Sequence, residues 1–322
     1  MNVKFFTELD RKSVLEAGGK GASLGEMTSA KIPVPPGFVV LAAAFDRFLA
    51  ETDLDSEVEA ILKKVNAKDV NSVDKASAEI RDLIHREQMP KDLQKEIVAA
   101  YDILFPSLEG RGKGRVKGLV AVRSSATAED SKVASWAGEL ETYLNVQEKG
   151  LIRAVMKCWS SLFTPRAIFY RFEKKLHRKP VSVAVVVQEM VQSEISGVAF
   201  TVHPVTKDYN QMVIEAGFGL GEAIVSGQIT PDTYVVHKND FSILDINVSE
   251  QKMAIVRSAG GDIHKNLSVK VGSKQKLTGK QIVTLAKICK GIEKHYKHPQ
   301  DIEWAYVKGK FYITQSRPIT TL

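Results

Sequence analysis

Only two cysteines occur in the 322 residues, which excludes a disulfide framework. Cys158 in "VMKCWSSL" and Cys289 in "LAKICKGI" each stand alone in helix-like surroundings, and read as two buried thiols of a reducing compartment rather than a bridge or a metal pair. Long apolar runs are also missing, since none approaches the ~18 residues that a membrane span needs. The opening "MNVKFFTELDRK" has no apolar core or cleavage signal, so the expectation is a soluble, cytoplasmic chain with no membrane partner. Aromatic residues make up 7% and are not interleaved with the basic ones, which argues against a stacking platform for nucleic acid. No internal repeat, low-complexity tract or long Pro/Ser linker is present. The seven histidines show no metal-ligand spacing apart from His295 and His298, which lie beside a proline in a basic stretch, and none sits with a serine or acid in a nucleophile arrangement.

What is present begins with charge. The formal net charge is +7, and residues 251–322 carry 14 Lys plus Arg against 4 Asp plus Glu, leaving the rest of the chain slightly acidic. Such a field suits a polyanion of the size of a nucleoside triphosphate, although many of these lysines solvate a helix expected over 279–296. Apolar residues at three and four spacing predict helices in "AAAFDRFLAE", over 56–65 and over 75–86, and Pro90 opens another that ends near Leu104. One more is expected over about 149–174. Strands are expected in "VKFF", "GFVVL", "GLVAVRSS", "ETYLNV", "VSVAVVVQEMV", "SGVAFTVHP", "QMVIEAG" and "TYVVHK". The class is α+β with mixed sheets and a helical segment near 42–108, in two parts: 1–187, and 188–322 with the C-terminal hairpin.

Three stretches have the chemistry of phosphate and base contacts. "AGGKGASLGEM" (17–27) offers backbone N–H groups with little steric cover and the Lys20 ammonium, but it is not a Walker A loop, because Gly21 follows Lys20 where Ser or Thr is required. "VAVRSSATAEDSKVASWAGELETYLNV" (120–146) delivers Arg123 from a strand into a run of small residues; Arg123 either meets a phosphate with its planar fork or pairs with Glu129 or Asp130. "VVVQEMVQSEISG" joins two apolar strands through Gln188, Glu189, Met190 and Val191, where backbone groups can read a base or simply connect strands. Gly217, Gly219 and Gly221 do not have the spacing of a dinucleotide fingerprint.

The last stretch, "DIEWAYVKGKFYITQSRP" (301–318), reads as a hairpin. A three-residue turn Lys308-Gly309-Lys310 pairs Val307 with Phe311, Ala305 with Ile313, Glu303 with Gln315 and Asp301 with Arg317, all on one face. A two-residue turn puts Glu303 and Gln315 on opposite faces. The first register builds a patch of carboxylate, amide and guanidinium able to hold a divalent cation and a phosphate.

In this order, "GGKGASLGEM", "IPVPPGFVV", "AVRSSATAED", "ASWAGELETYLNV" and "QSRP" resemble the N-terminal nucleotide-binding domain of the phosphoenolpyruvate synthase, pyruvate phosphate dikinase and rifampin phosphotransferase family, nearest the synthase branch. The resemblance implies an ATP-grasp fold, two α+β subdomains enclosing ATP, with Mg²⁺ as its metal. It implies Lys20, Arg123 and Arg317 at the phosphates as catalytic residues, Gly138 and Thr142 on a covering loop, and Gln188, Glu189 and Val191 at the adenine. Glu303 and Gln315 become the metal ligands. It further implies that the chain passes a phosphoryl or pyrophosphoryl group to a histidine on a separate domain or partner, since no Thr-Ser-His-Ala-type segment occurs here. A rifampin-directed ATP-binding lobe and a nucleotide sensor without turnover are the alternatives.

Overall fold

A computed structural model describes residues 1–106, 118–127, 141–174, 181–258 and 261–320. The chain divides into two units, residues 1–26 with 36–190, and 27–35 with 191–322. The first contains β1 (Val3–Phe5), α1 (Val14–Ser29, whose last turn belongs to the second unit), β2 (Gly37–Val40), α2 (Ala42–Glu51), α3 (Leu54–Lys63), α4 (Val70–Arg86) and α5 (Lys91–Leu104). After these come β3 (Val120–Ala126), β4 (Thr142–Val146), α6 (Glu148–Ser160), α7 (Pro165–Glu173) and β5 (Val183–Glu189). The helical block expected over 42–108 is thus α2 to α5. The expected division at 187/188 falls inside β5, a central strand.

The first sheet runs β1-β2-β5-β3-β4 with every pairing antiparallel. Strand side chains alternate between faces. Phe38, Val40, Val120, Val122, Val183, Val185 and Val187 join Phe45, Phe48, Ile80, Leu93, Ile97 and Trp159 of the helices in one buried cluster. Trp159 stacks on Phe48 at 5.1 Å between ring centroids, and each such side chain contributes about 1.5–3 kcal/mol by burial. The opposite face therefore receives Ala121, Arg123 and Ser125 of β3, Ala184, Val186 and Gln188 of β5, and Thr142 of β4. The single helix expected over 149–174 is instead α6, a 3₁₀ turn over Ser161–Phe163, and α7. Pro165 cannot continue a helix, and Thr164 caps the new one by accepting the Ala167 N–H at 3.1 Å.

The second unit holds β6 (Ile195–Phe200), β7 (Gln211–Phe218), α8 (Glu222–Val225), β8 (Asp232–His237), β9 (Ile243–Asn247), β10 (Met253–Ser258) and β11 (Gly261–Asn266), then α9 (Val269–Gly272), α10 (Gly279–Tyr296), β12 (Gln300–Val307) and β13 (Lys310–Pro318). Its main sheet runs β13-β12-β6-β7-β8-β9, again antiparallel throughout, and β10 pairs with β11 alone. The α+β class holds, and the expected mixed sheets are corrected: each strand pairing among the described residues is antiparallel. Hairpin-length connections account for β8–β9, β10–β11 and β12–β13, while the other neighbours are brought together across longer segments. A reciprocal capping box of Thr278 and Gln281 starts α10. Its buried residues Ile282, Leu285, Ala286, Cys289 and Ile292 pack toward β7, β8 and β12. Both cysteines are buried and unbridged. No helix among the described residues is long and apolar enough to cross a membrane.

One lysine of the basic C-terminal region is not a solvating residue at all. Lys276 and Asp232 form an ion pair at 2.8 Å with both side chains at 0% exposure. The Lys276 ammonium also donates to the Ser249 and Gly272 carbonyls, while Asp232 accepts from the Ser249 and Lys276 N–H groups and from the Tyr234 hydroxyl. The network is satisfied on every side, so removing one member leaves a buried charge. Lys276→Met should lower stability by about 3–5 kcal/mol, read as a fall in the urea midpoint at unchanged slope; an unchanged midpoint would show that the pair is dispensable.

Candidate functional site

The glycine-rich stretch is part of α1 rather than a free turn, and a kink interrupts the helix at Gly18, whose φ of 68° and ψ of 173° are not helical. A side chain there has no room: a Cβ would stand 2.2 Å from Ser125 Oγ and 2.3 Å from Ser125 O. Ser125 of β3 joins the two pieces of helix. Its hydroxyl donates to the Ala17 carbonyl at 2.9 Å, at the end of the first piece, and accepts the Gly21 N–H at 3.3 Å, in the first turn of the second. Two motifs 104 residues apart are thereby held together.

Lys20 follows the kink and is half-buried. Burial pushes the Cys158 thiol up to about 12. The Cys158 thiol lies 3.6 Å from the Val122 carbonyl and 4.0 Å from the Glu141 carbonyl, and Lys20 stands between Gly18 and Gly21, both held against Ser125 of β3. Arg123 pairs across strands with exposed Thr142. Gln188, 2% exposed, lies on the same face as Arg123, one residue pair along β5. Four predicted residues, Lys20, Arg123, Thr142 and Gln188, are thus gathered in the first unit. Gly138 lies outside the described residues.

The strand connection differs in detail from its sequence reading. The Glu189 N–H donates to the Pro36 carbonyl and the Met190 N–H to the Leu119 carbonyl, both at 2.8 Å. Those two donors are committed to the fold, and the next N–H along the chain is that of Val191, the first residue of this stretch to belong to the second unit. Glu189 points to the face opposite Gln188, and burial raises its carboxyl above the ordinary range.

In the second unit the hairpin reaches the expected pairing by another route. The turn has two residues, not three: Val307 pairs with Lys310, and Lys308 and Gly309 have φ of 49° and 80°, as a type I′ turn requires. Ala305 accordingly faces Tyr312, and Phe311 faces Tyr306. A bulge between Glu303 and Trp304, with Thr314 as the extra residue, then shifts the register by one. Beyond it Glu303 pairs with Gln315 and Asp301 with Arg317. Arg317 Nε and Nη2 lie 2.8 and 2.7 Å from Asp301 Oδ2. Burial nevertheless leaves the Asp301 carboxyl above its ordinary range, outweighing Arg317 and aided by the Glu303 charge.

Register carries the same face further. Glu303 pairs with Val198 of β6, and Val198 with Glu215 of β7, so Glu215 stands in one row with Glu303 and Gln315. Burial, then the Asp301 charge, raises the Glu215 carboxyl. Sequence reading missed Glu215; its signal is an acid within the apolar strand "QMVIEAG". No three His, Cys, Asp or Glu side chains among the described residues converge as a ready metal cage. Glu303 and Gln315 offer one carboxylate and one amide oxygen, which fits Mg²⁺, an ion that keeps waters and takes phosphate oxygens. One histidine contact also went unforeseen: His85 Nε2 lies 2.8 Å from Ser160 Oγ. That hydroxyl also lies 2.9 Å from the Lys157 carbonyl, which can accept its hydrogen bond.

Two outcomes test this geometry. Gly18→Ala should destabilise the chain by about 1–3 kcal/mol through overpacking against Ser125, whereas Gly150→Ala, whose Cβ meets only Val146 at 3.8 Å, should not; equal thermal unfolding of the two variants would contradict the close approach. A carboxyl raised in the folded state contributes stability below its unfolded pKa that is lost as pH rises through the folded value. Glu215→Gln should therefore raise the melting temperature at pH 7 more than at about pH 4, the unfolded range of Glu, and equal increments at both pH values would count against a burdened Glu215.

Comparison with known proteins identifies the setting of these residues. The family model described as "Pyruvate phosphate dikinase, AMP/ATP-binding domain" matches residues 14–322. A probable phosphoenolpyruvate synthase of Methanocaldococcus jannaschii is 47% identical over 323 residues, covering 99% of this chain and 27% of that protein. One of Methanothermobacter thermautotrophicus is 45% identical, covering 99% and 46%, and the phosphoenolpyruvate synthase of Pyrococcus furiosus is 40% identical, covering 99% and 44%. The chain spans less than half the length of these relatives. Among solved structures, D-alanine-D-alanine ligase from Helicobacter pylori is 11% identical over 76% of this chain and 53% of its own, at a TM-score of 0.29, below what establishes a common fold. The family match and the 45–47% identity to synthases over 99% of this chain agree, and the chain belongs to the pyruvate phosphate dikinase AMP/ATP-binding domain family.

Proposed function

We propose that this ATP-binding domain is the nucleotide-handling component of a phosphoenolpyruvate synthase-like phosphotransferase. It binds ATP with Mg²⁺ and passes a phosphoryl or pyrophosphoryl group to a histidine on a separate domain or partner protein, in the cytoplasm. The carrying observation is the hairpin register. A two-residue turn alone would have separated Glu303 from Gln315, and the bulge restores carboxylate, amide and guanidinium to one face. The relatives are phosphoenolpyruvate synthases by name, which favours the synthase over the rifampin-directed reading and over a sensor without turnover.

Roles follow from side-chain chemistry. Lys20 and Arg123 neutralise phosphate charge, Arg123 through a planar fork that a lysine lacks. Thr142, opposite Arg123, supplies a hydroxyl; Gln188, Glu189 and Val191 are assigned to the adenine, with the Val191 N–H as the backbone donor still open to that role by position. Glu303 and Gln315 would hold Mg²⁺, which supplies Lewis-acid neutralisation of the triphosphate. Arg317, fixed in orientation by Asp301, meets a phosphate oxygen. Catalysis is then positional and electrostatic: Lys20, Arg123 and Arg317 hold the transferred group in line while the acceptor imidazole nitrogen forms the new N–P bond and the P–O bond to the leaving phosphate breaks.

Calorimetry tests the reading. Mg-ATP should bind the chain, and a hundredfold excess over Kd should add about 2.7 kcal/mol of stability. Glu303→Gln should weaken ATP binding in the presence of Mg²⁺ more than in its absence, and Gln315→Ala should do the same less severely, because water replaces a neutral oxygen more readily than an anionic one. No heat of binding and an unchanged melting temperature with millimolar Mg-ATP would refute the proposal.

A further inference from the structure

Thr142 faces Arg123 across the β3–β4 pair, and the residues on either side of it are held by groups from β3, α4 and α6. Glu141 immediately precedes Thr142. Its backbone carbonyl accepts the Ser124 N–H at 3.2 Å and the Ser124 hydroxyl at 3.1 Å, which ties the start of β4 to the strand carrying Arg123. Its side chain turns the other way. Oε1 accepts from Arg81 Nη2 of α4 at 2.8 Å, and Oε2 accepts the Tyr143 hydroxyl. Lys157 of α6 places its ammonium 5.2 Å from the centre of the Tyr143 ring. Glu141 and Arg81 are 30% and 25% exposed, so this pair is shielded more than a surface salt bridge is. The strand residues on either side of Thr142 are thus anchored: Glu141 by both its carboxylate oxygens and its carbonyl, Tyr143 by its hydroxyl and its ring.

The helical block is otherwise scaffold, with Ile80 and Ile84 of α4 fully buried in the core. Arg81 is the residue through which that scaffold reaches the polar end of the sheet. We propose that Arg81 and Glu141 are positioning residues for phosphate handling: together with Tyr143 they fix the register of β4 so that Thr142 is presented opposite Arg123. This inference rests on the assignment of Arg123 and Thr142 to the phosphates. Neither Arg81 nor Glu141 is itself assigned a ligand contact.

The test compares two ligands that share a base and differ in phosphate. Arg81→Ala should weaken ATP binding about tenfold and should leave adenosine binding unchanged. Glu141→Gln keeps the size of the side chain and an acceptor for Tyr143 while removing the charge; it should reproduce the ATP-specific loss and serves if Arg81→Ala does not fold. Arg81→Lys, which keeps the charge, should recover part of the lost ATP affinity. Unaltered ATP affinity in Arg81→Ala and Glu141→Gln, or an equal loss for ATP and adenosine, would overturn the positioning role while leaving ATP binding by the parent chain intact. Failure of the parent chain to bind ATP would overturn the phosphate assignment and this inference together.

Discussion

The Ser125 hydroxyl is the constraint on which the first unit's polar face depends. By bonding to the Ala17 carbonyl on one side of Gly18 and to the Gly21 N–H on the other, it closes the two backbone groups that the kink would leave open. The geometry admits only a hydrogen at Gly18. Since Ser125 is two residues from Arg123 on the same strand face, the same contact that stabilises the kink also fixes Lys20 relative to Arg123. Local backbone chemistry and the placement of two cationic groups are therefore one feature.

The second unit solves a different problem, which is how to keep several carboxylates on one half-buried sheet face. Asp301 has Arg317 as a partner, yet burial holds its carboxyl above the ordinary range, and Glu215 carries both burial and the nearby Asp301 charge. A face with this electrostatic character favours a cation, and the folded chain alone bears the cost of leaving those charges close together. The contrast with Lys276 and Asp232 is instructive. There the ammonium and the carboxylate are partnered within the protein, with both side chains at 0% exposure.

Much of this was legible in the sequence because it rests on periodicity and punctuation. Helices α2 to α5 follow their apolar spacing, and the strand that presents Arg123 follows its alternation. The Glu303–Gln315 pairing was anticipated with the wrong turn. Lys308-Gly309 takes the two-residue form whose twist suits a hairpin, and the bulge at Thr314 shifts the register back. A bulge has no local sequence signature of its own, so the compensation was not readable. Nor was the helix break at Gly18, since it depends on Ser125, or the Arg81–Glu141 pair, which joins residues 60 positions apart. Pro165 did carry a local signal, and the single helix expected through it gave too little weight to the missing N–H.

Central to this account is that the Glu303–Gln315 row holds the metal that accompanies ATP. Replacing Mg²⁺ by paramagnetic Mn²⁺ in the presence of ATP and recording backbone amide NMR signals tests this most directly. The prediction is that broadening by Mn-ATP is strongest around Glu303 and Gln315, extends to Glu215, and is lost in Glu303→Gln. Broadening centred elsewhere, or undiminished in Glu303→Gln, would contradict it.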